Sequence, residues 1–484
     1  MIAGLESFHL FFGFLLNRDS QTHQATGAFM VLLMVLTLLA RATDLRGFEL
    51  TSYGVAGILY ILCWRLIGLR EIYLLSVCAS LTAVAFFLFD MPFSVYEAAF
   101  AQASFLMAFL LLLALLHEAA MTSRAISACG HYLTKQPPQK RYLAIFSGTN
   151  LMSVLFNLGI VSLLTPLIKK GVMNERAEPA ISALRERRQL TALLRGFSWG
   201  VVWSPTAMAP LAVMELIDGI SRELWTAYGL ICAGAILFVG WLEDSWRFRN
   251  IQRRPANPAP QVPLEKTAIL GFLLVLFSLF TVTMSVSIIA DDTIVFGLLV
   301  ACPVIMLGWL VAQNWPHKGA RLARTARQAV HICHRELPRN GRIIFALSAS
   351  GYIGRLSAEM VPIDFVAGLL ERYTMPDFIF LTMMSFIMIP VSYLGVSPIM
   401  MAVFFGSILG ALPILPVNPT LAALSISAGW ALSMTTSPFA TVVLMISNLS
   451  DTRPLKLSVG WNAAFSALAL FTLSMVFFIL TGGQ

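Results

Sequence analysis

Two groups of small, polar and helix-breaking residues interrupt apolar stretches of this sequence, and they are the strongest candidates for a ligand site. The first group comprises 156–162 and 199–206, and the second comprises 392–397 and 430–438. Gly159 lies 45 positions before Ser204, and Gly395 lies 42 positions before Ser437. Inside a membrane, backbone groups that no helix satisfies can bind an ion or a small ligand together with nearby hydroxyls. Matching breaks in two halves of the chain therefore predict a site where the breaks meet.

The residue types at these breaks indicate how a ligand could be held. Pro205 and Pro438 each free a carbonyl oxygen one turn earlier, and such oxygens can bind a cation. N–H groups at the start of a half-helix favour an anion instead. We predict that the substrate contacts eight residues, namely Asn157, Gly159, Ser204, Thr206, Ser392, Ser397, Thr436 and Ser437. The alternative is that each break is an ordinary proline kink flanked by Ser and Thr. The functional interpretation is favoured because two such breaks occur at matched spacing, each after a predicted re-entrant hairpin.

A coupling ion needs ligands of its own, and the sequence offers two sets. Near the first break, Thr149, Asn150 and Ser153 could supply oxygen atoms to a cation. Farther along, Arg355 and Glu359 lie one turn apart in an apolar segment, where pairing with each other is the simpler interpretation. The alternative is that Arg355 attracts an anionic substrate and Glu359 carries a coupling proton, since ionisable groups at membrane depth are costly and usually functional.

Composition places these residues in a membrane. The chain has 58% hydrophobic and 12% charged residues, with a mean hydropathy of +0.78, whereas soluble domains are about a quarter charged. The net charge of +8 comes from Lys and Arg between apolar segments, which is typical of inner-membrane loops and predicts no nucleic-acid partner. The six cysteines are scattered without CxxC spacing, so neither a metal site nor a disulfide framework is expected. No motif for ATP binding or hydrolysis occurs, so we expect no enzyme, no catalytic residue and no cofactor.

Segment lengths and loop charges predict the topology. Apolar segments occur near 24–43, 50–68, 72–90, 98–116, 142–168, 195–217, 225–242, 267–290, 294–312, 343–367, 376–415, 419–447 and 458–480. Lys and Arg are concentrated in 118–141, 169–195, 247–266 and 317–342, which the positive-inside rule places in the cytoplasm together with the N-terminus. Segment 142–168 has positive flanks on both sides, so it must enter and leave on one side as a re-entrant hairpin. Residues 176–194 are predicted to form an amphipathic helix on the inner leaflet, where membrane lipids are its partners.

The predicted fold is all-α and polytopic, with about 11 transmembrane helices and two opposed re-entrant hairpins in two inverted repeats. Residues 1–49 hold an apolar N-terminal segment and the first span. The first repeat covers 50–246, with a hairpin at 142–171 and a broken span at 195–217. A proline-rich cytoplasmic linker follows at 247–266. The second repeat covers 267–484, with a hairpin at 376–415 and a broken span at 419–447.

The first hairpin and the topology resemble those of the ion transporter superfamily, which includes divalent anion/sodium symporters and arsenite permeases. Asn157 is followed nine residues later by Pro166, after small and aliphatic residues, as at the family's hairpin tip. The resemblance covers most of the chain from about residue 50. It implies a homodimeric secondary active transporter that moves a small organic or inorganic anion by an elevator-type mechanism, coupled to Na⁺ or H⁺. In the symporters Ser and Thr flank this Asn, whereas Phe156 and Leu158 flank it here, so we expect weaker Na⁺ dependence.

Two other function classes remain open at the level of sequence. A flippase for a lipid or a lipid-linked sugar would need a lateral opening and a larger basic cavity. An intramembrane transferase would need a paired acid and base, and usually a sizeable extramembrane domain. The sequence shows neither feature of the transferase, so a transporter is the favoured hypothesis.

Overall fold

Helices form all the regular secondary structure in the part of the chain that the structure describes. This computed structural model describes residues 2–64, 68–174, 178–249, 266–316, 319–372 and 375–483. Within these ranges, eight helical segments are long and apolar enough to cross a membrane. The chain is therefore an all-α polytopic membrane protein, as its composition predicts.

The described helices, in chain order, are α1 (Ile2–Thr43), α2 (Arg46–Leu62), α3 (Leu69–Phe87), α4 (Phe93–Met121), α5 (Arg124–Thr134), α6 (Pro138–Phe156), α7 (Gly159–Asn174), α8 (Pro179–Gly200), α9 (Met208–Met214), α10 (Arg222–Arg247), α11 (Lys266–Ala290), α12 (Ile294–Gln313), α13 (Arg321–His331), α14 (Leu337–Arg339), α15 (Gly341–Glu359), α16 (Ile363–Arg372), α17 (Asp377–Tyr393), α18 (Pro398–Ala411), α19 (Pro419–Thr436), α20 (Thr441–Ser450) and α21 (Trp461–Leu480). Two π-helical turns, Ile332–Glu336 and Lys456–Gly460, precede α14 and α21.

Packing divides the chain into two units, each built from both halves of the sequence. The first unit comprises Met1–Thr122 and Phe277–Ile353, and the second comprises Ser123–Leu276 and Gly354–Gln484. In the first unit, α4 is buried over most of its length and packs against α1, α2 and α12. The Ser348 hydroxyl of α15 donates to the Ala103 carbonyl of α4 at 2.7 Å, which fixes the two helices against each other.

In the second unit, α6 and α8 lie side by side and run in the same direction. Phe146 lies beside Gly196, where an added Cβ atom would come within 2.4 Å of the Phe146 carbonyl oxygen. One turn farther on in both helices, an added Cβ atom at Gly200 would lie 3.4 Å from the Asn150 carbonyl oxygen, and the Asn150 amide donates to the Gly196 carbonyl at 3.1 Å. Because α8 begins at Pro179, more than four turns before Gly196, α7 has to return to the level where α6 starts. The arms α6 and α7 therefore run in opposite directions from the break at Asn157.

The pair α17 and α19 repeats this arrangement. The Ser425 hydroxyl donates to the Leu381 carbonyl at 2.6 Å, and the Ser433 hydroxyl donates to the Met388 carbonyl at 3.0 Å. These contacts advance along both helices together, so α17 and α19 are parallel. Between them, α18 returns to the level where α17 starts.

The two broken helices, α8 with α9 and α19 with α20, run in opposite directions. Near the start of α8, the Arg187 guanidinium lies 5.7 Å from the ring centre of Trp461, which follows α20 closely in the chain. At the other end, Gly219 follows α9 and lies against the ring of Pro419, the first residue of α19. The start of one broken helix is thus level with the end of the other. In agreement, α7 packs on α20, and α18 packs on α9.

Several segments differ from the boundaries predicted from sequence. The predicted amphipathic helix 176–194 and the first part of the predicted span 195–217 form one helix, α8, and Arg195 lies buried inside it rather than in a loop. The predicted span 343–367 ends at Glu359, because Pro362 interrupts the helix before α16 begins. The apolar N-terminal segment and the first span form the single helix α1. Most of the predicted linker 247–266, from 250 to 265, lies outside the described residues.

The antiparallel arms predict a labelling result. Cysteines introduced at Lys140 and Lys170, which are exposed near the free ends of α6 and α7, are expected to react with an impermeant maleimide from the cytoplasmic face alone. A cysteine at exposed Asp218, beyond α9, should react from the other face alone. The parent protein, with its six cysteines, supplies the background. Reaction of the Lys140 and Lys170 positions from opposite faces would show that 142–168 simply crosses the membrane.

Candidate functional site

The first break is centred on Asn157, between α6 and α7. Its backbone has a φ of 44° and a ψ of −130°, close to the first central position of a type II′ turn, where Gly, Asn and Asp are the usual residues. Its N–H donates to the Ser153 carbonyl at 2.9 Å, and its carbonyl accepts from the Ile160 N–H at 3.3 Å. Asn157 is half-buried, and its side-chain amide has no hydrogen-bond partner among the described residues. The amide is therefore free to contact a ligand.

The break between α8 and α9 lies against the end of α6. The Thr206 hydroxyl donates to the Val154 carbonyl of α6 at 2.6 Å. The Ser204 hydroxyl lies 3.0 Å from the Thr206 hydroxyl, and both side chains are buried. Because Val154 lies one turn before Asn157, these two predicted substrate residues belong to the same neighbourhood as Asn157. Gly159 is also buried, at the first position of α7.

Two of the three residues predicted to hold a coupling ion instead make hydrogen bonds within the protein, and one of them, Asn150, joins α6 to α8. The Asn150 side chain accepts from the Trp203 indole N–H at 2.6 Å, while its amide donates to α8 as described above. The Ser153 hydroxyl donates to the Asn150 carbonyl at 2.7 Å. Only Thr149 differs, since it is fully buried and its hydroxyl has no partner within the described residues. Thr149 is thus the one of the three whose side chain makes no hydrogen bond within the described residues.

The second break pairs the tip between α17 and α18 with the end of α19. The Ser437 hydroxyl donates to the Ser392 carbonyl at 3.0 Å and accepts from the Phe439 N–H at 3.3 Å. Gly395 has a φ of 81°, which suits glycine, so this tip uses glycine where the first uses asparagine. Ser397 caps α18 by accepting from the Met400 N–H at 3.4 Å. The predicted residues Ser392 and Ser437 therefore touch each other.

The second break also presents apolar surface. Leu394 is 78% exposed and Phe439 is 54% exposed, and Tyr393 is exposed beside them. The Tyr393 hydroxyl donates to the Thr436 carbonyl at 3.1 Å, which holds its ring at the break. By contrast, Phe156 at the first break is fully buried. The two breaks therefore differ in chemistry, the first polar and the second edged by large apolar side chains.

Within the second unit, the helices that carry the two breaks pack together. Helix α19 packs against both α8 and α9, and α20 packs against α7. The predicted residues of the first break thus lie on helices next to those of the second.

Arg355 and Glu359 lie elsewhere in the same unit. Their side chains form an ion pair at 2.7 Å, which is the pairing that the simpler interpretation of their spacing predicts. The Arg355 guanidinium also donates to the Ser407 hydroxyl of α18 at 3.3 Å. Ser407 is ten residues beyond Ser397, which corresponds to roughly 15 Å along a helix. The pair therefore contacts the shaft of α18 rather than its tip.

A buried ionic cluster centred on Arg195, in the last third of α8, was missed by sequence reasoning. Arg195 is only 2% exposed and donates to Asn462 at 2.7 Å, to Glu243 at 2.9 Å and to the Tyr142 hydroxyl at 3.2 Å. Its guanidinium lies 4.0 Å from the ring centre of Phe465. The adjacent carboxylates at 243 and 244, at the end of an apolar segment, were the available signal, because such groups are almost never buried unless they are paired.

The helices and paired breaks define an all-α membrane protein with discontinuous helices concentrated in one unit. No protein-family model matches the chain, and no curated protein sequence matches it. Among solved structures, the chain is similar to the YdaH transporter of Alcanivorax borkumensis, with a TM-score of 0.47 and 10% identity, covering 85% of this chain and 97% of that one.

The chain is also similar to MtrF of Neisseria gonorrhoeae, a member of a class of antimetabolite efflux pumps. The TM-score is 0.46 and the identity is 13%, covering 77% of this chain and 80% of that one. At such low TM-scores and identities, neither similarity assigns a family or an activity to this chain.

Proposed function

We propose that the protein is a secondary active transporter of the inner membrane that moves a small anion. The observation that carries the proposal is the pair of broken helices that run in opposite directions and pack together in one unit. Broken membrane helices leave backbone groups unsatisfied, and such groups are tolerated only where they line a cavity or are buried in protein. Opposed breaks at one level are the arrangement from which secondary transporters build a midplane site.

Helix termini at the breaks favour an anion together with a coupling cation. Helices α7 and α18 both begin at a break, so their first N–H groups carry partial positive charge there. Helices α6, α8, α17 and α19 all end at a break, and their last carbonyls offer oxygen ligands to Na⁺ or to a proton carrier. The apolar edge formed by Tyr393, Leu394 and Phe439 supports an organic anion with an apolar part over a bare inorganic one.

The mechanism that we propose follows from the distribution of the breaks. Both breaks belong to the second unit, so an elevator-type movement of that unit would carry the complete site across the membrane. The returning arm of each hairpin packs on the second part of the opposite broken helix, α7 on α20 and α18 on α9. This reciprocal packing supports two inverted repeats within the second unit. Assembly as a homodimer is proposed on the resemblance to the ion transporter superfamily alone.

Counterflow in proteoliposomes tests the function. Liposomes that contain the purified protein and are loaded with one unlabelled anion should accumulate the same labelled anion, whereas protein-free liposomes should not. The panel should contain aliphatic dicarboxylates, aromatic carboxylates and inorganic oxyanions, and the aromatic carboxylates are expected to give the strongest signal. Translocation of a labelled lipid without counterflow of any anion would favour the flippase instead.

The coupling ion can be identified in the same liposomes by imposing Na⁺ and pH gradients separately. We expect weak Na⁺ dependence, because Asn150 is bonded to α8 and Trp203, Ser153 is bonded within α6, and few free hydroxyl ligands remain. Proton coupling through Glu359 predicts that Glu359→Gln loses the response to pH but still exchanges substrate. Glu371→Gln, which removes an exposed carboxylate from α16, is the matched control. Steep Na⁺ dependence at constant pH, unchanged in Glu359→Gln, would contradict proton coupling.

A further inference from the structure

A basic and aromatic patch lies where α8 begins and α10 ends, more than three turns before the break that follows α8. Its members are Arg187, Arg188, Arg247, Arg249 and Lys456, with the rings of Trp246, Phe248 and Trp461 among them. We call these eight residues the basic patch. The proposed transport mechanism uses none of them.

Positive charge in the basic patch exceeds the carboxylates available to it. Asp244 is occupied by Arg188, which donates to it at 3.1 and 2.5 Å. Glu243 is shared between Arg247, at 2.8 Å, and the buried Arg195. Both carboxylates are buried. A third, Glu186, interacts with Lys456 through space but forms no ion pair with it.

Two cations of the basic patch therefore form no ion pair, and carboxylates act on them only at longer range. Arg187 and Lys456 have no carboxylate within ion-pair distance among the described residues. The Arg187 guanidinium lies 5.7 Å from the ring centres of both Phe248 and Trp461, and the Lys456 ammonium lies 5.6 Å from that of Trp461. The rings hold both cations near one indole without neutralising them. A phosphate diester suits this pair, because a guanidinium binds phosphate oxygens through a planar fork of N–H groups.

Apolar surface continues from the patch along two neighbouring spans. On α10, Phe238, Leu242 and Trp246 are exposed at successive turns of one face. Helix α21 packs beside α10 and exposes Leu468 and Phe471. Tryptophan is typical of the membrane–water interface, so Trp246 marks the level where headgroups meet acyl chains.

We propose that the basic patch binds the headgroup phosphate of an anionic phospholipid, whose acyl chains lie along the exposed faces of α10 and α21. A soluble anion would use the cations but leave the adjoining apolar faces unused, and a lipid uses both. The positive loops on either side of the patch predict that it lies on the cytoplasmic leaflet, where anionic lipids are enriched. The inference does not depend on transport, since lipid binding can be measured in a protein that transports nothing.

Native mass spectrometry of the detergent-purified protein, titrated with phosphatidylglycerol or phosphatidylcholine, tests the proposal. We expect one tightly retained phosphatidylglycerol and no comparable retention of phosphatidylcholine. The variant Arg187→Gln/Lys456→Gln should weaken phosphatidylglycerol binding about thirtyfold, the effect of two basic residues near an anionic headgroup. The matched control, Lys140→Gln/Lys170→Gln, removes two exposed lysines from the same end of the unit and should change binding less than about twofold.

Further arms separate the alternatives. Arg187→Lys/Lys456→Arg keeps both charges and should retain the lipid, which distinguishes lost charge from misfolding. Glycerol 1-phosphate in solution should not displace the lipid, and full displacement would assign the patch to a soluble anion. Equal retention of both lipids, equal retention by the Gln variant, or a change of oligomeric mass in that variant would each overturn the proposal.

Discussion

Substrate uptake by the Asn157→Gly variant is expected to fall about ten- to a hundredfold while the protein remains folded. We expect this loss because the Asn157 side-chain amide has no hydrogen-bond partner among the described residues and lies at the tip between α6 and α7, where it can bind substrate. A hydrogen bond to a charged ligand contributes about 1.5–3 kcal/mol, which corresponds to this loss. Glycine is the informative replacement because it accepts the φ of 44° without strain.

Alanine at the same position separates the side chain from the backbone. Asn157→Ala also removes the amide but keeps a Cβ atom, which is strained at this positive φ by about 1–3 kcal/mol relative to glycine. If both variants lose uptake and Asn157→Gly melts at a temperature at least as high as Asn157→Ala, the amide binds substrate. Normal uptake in Asn157→Gly combined with loss in Asn157→Ala would show that only the backbone conformation matters, and the amide would then not be a ligand.

Ser437→Ala is the companion variant at the second break. Its hydroxyl joins the end of α19 to Ser392 at the tip between α17 and α18. Ser437 is therefore expected both to contact the substrate and to hold the two parts of the second break in place. Uptake should fall at least about tenfold, because a buried carbonyl at the break loses its donor. Ser437→Thr keeps the hydroxyl and should retain most activity. Unchanged uptake in both Ser437→Ala and Asn157→Gly would place the substrate site elsewhere.

The class and the breaks could be predicted from the sequence because both follow from local chemistry. Apolar runs of about 20 residues predict membrane helices, and the prolines at 205 and 438 stand where α8 and α19 have ended. The helix bounds around Pro362 were wrong, because hydropathy averaged over a window hides a single break.

The role of Asn150 could not be predicted from the local sequence pattern. As a buried amide near a break it looked like an ion ligand, yet it accepts from Trp203 and donates to Gly196. Those partners lie roughly 50 positions away in sequence, and no local sequence pattern predicts the contacts. The same holds for Arg195, which read as one more positive charge in a cytoplasmic loop. Its partner Asn462 comes from the far end of the chain.

The second large effect is expected from Arg195→Met, which should lower the free energy of unfolding by about 3–5 kcal/mol. The substitution removes the buried guanidinium and leaves Glu243 with one of its two cations, while Asn462 and Tyr142 lose a donor. A buried carboxylate that loses one of its two cations, beside two buried acceptors that lose their donor, costs far more than an exposed pair contributes. The control is Arg46→Met, which breaks a 3.0 Å pair with Glu97 in which Arg46 is largely exposed, and it should cost less than about 1 kcal/mol.

The double variant Arg195→Met/Glu243→Gln decides whether the cost comes from the unpaired charge. The second substitution replaces the buried carboxylate with a neutral amide, so the apolar side chain introduced at 195 faces no buried charge. Arg247 can turn to solvent because it is partly exposed. Replacing both members of a buried pair is often close to neutral, so most of the lost melting temperature should return. The measurement is thermal unfolding in detergent. After heating to each temperature, the folded fraction is taken as the protein that still elutes as a single species on size exclusion. A double variant as unstable as Arg195→Met alone would show that Arg195 stabilises the unit through its packing on Phe465 and its bond to Asn462, and not by neutralising Glu243.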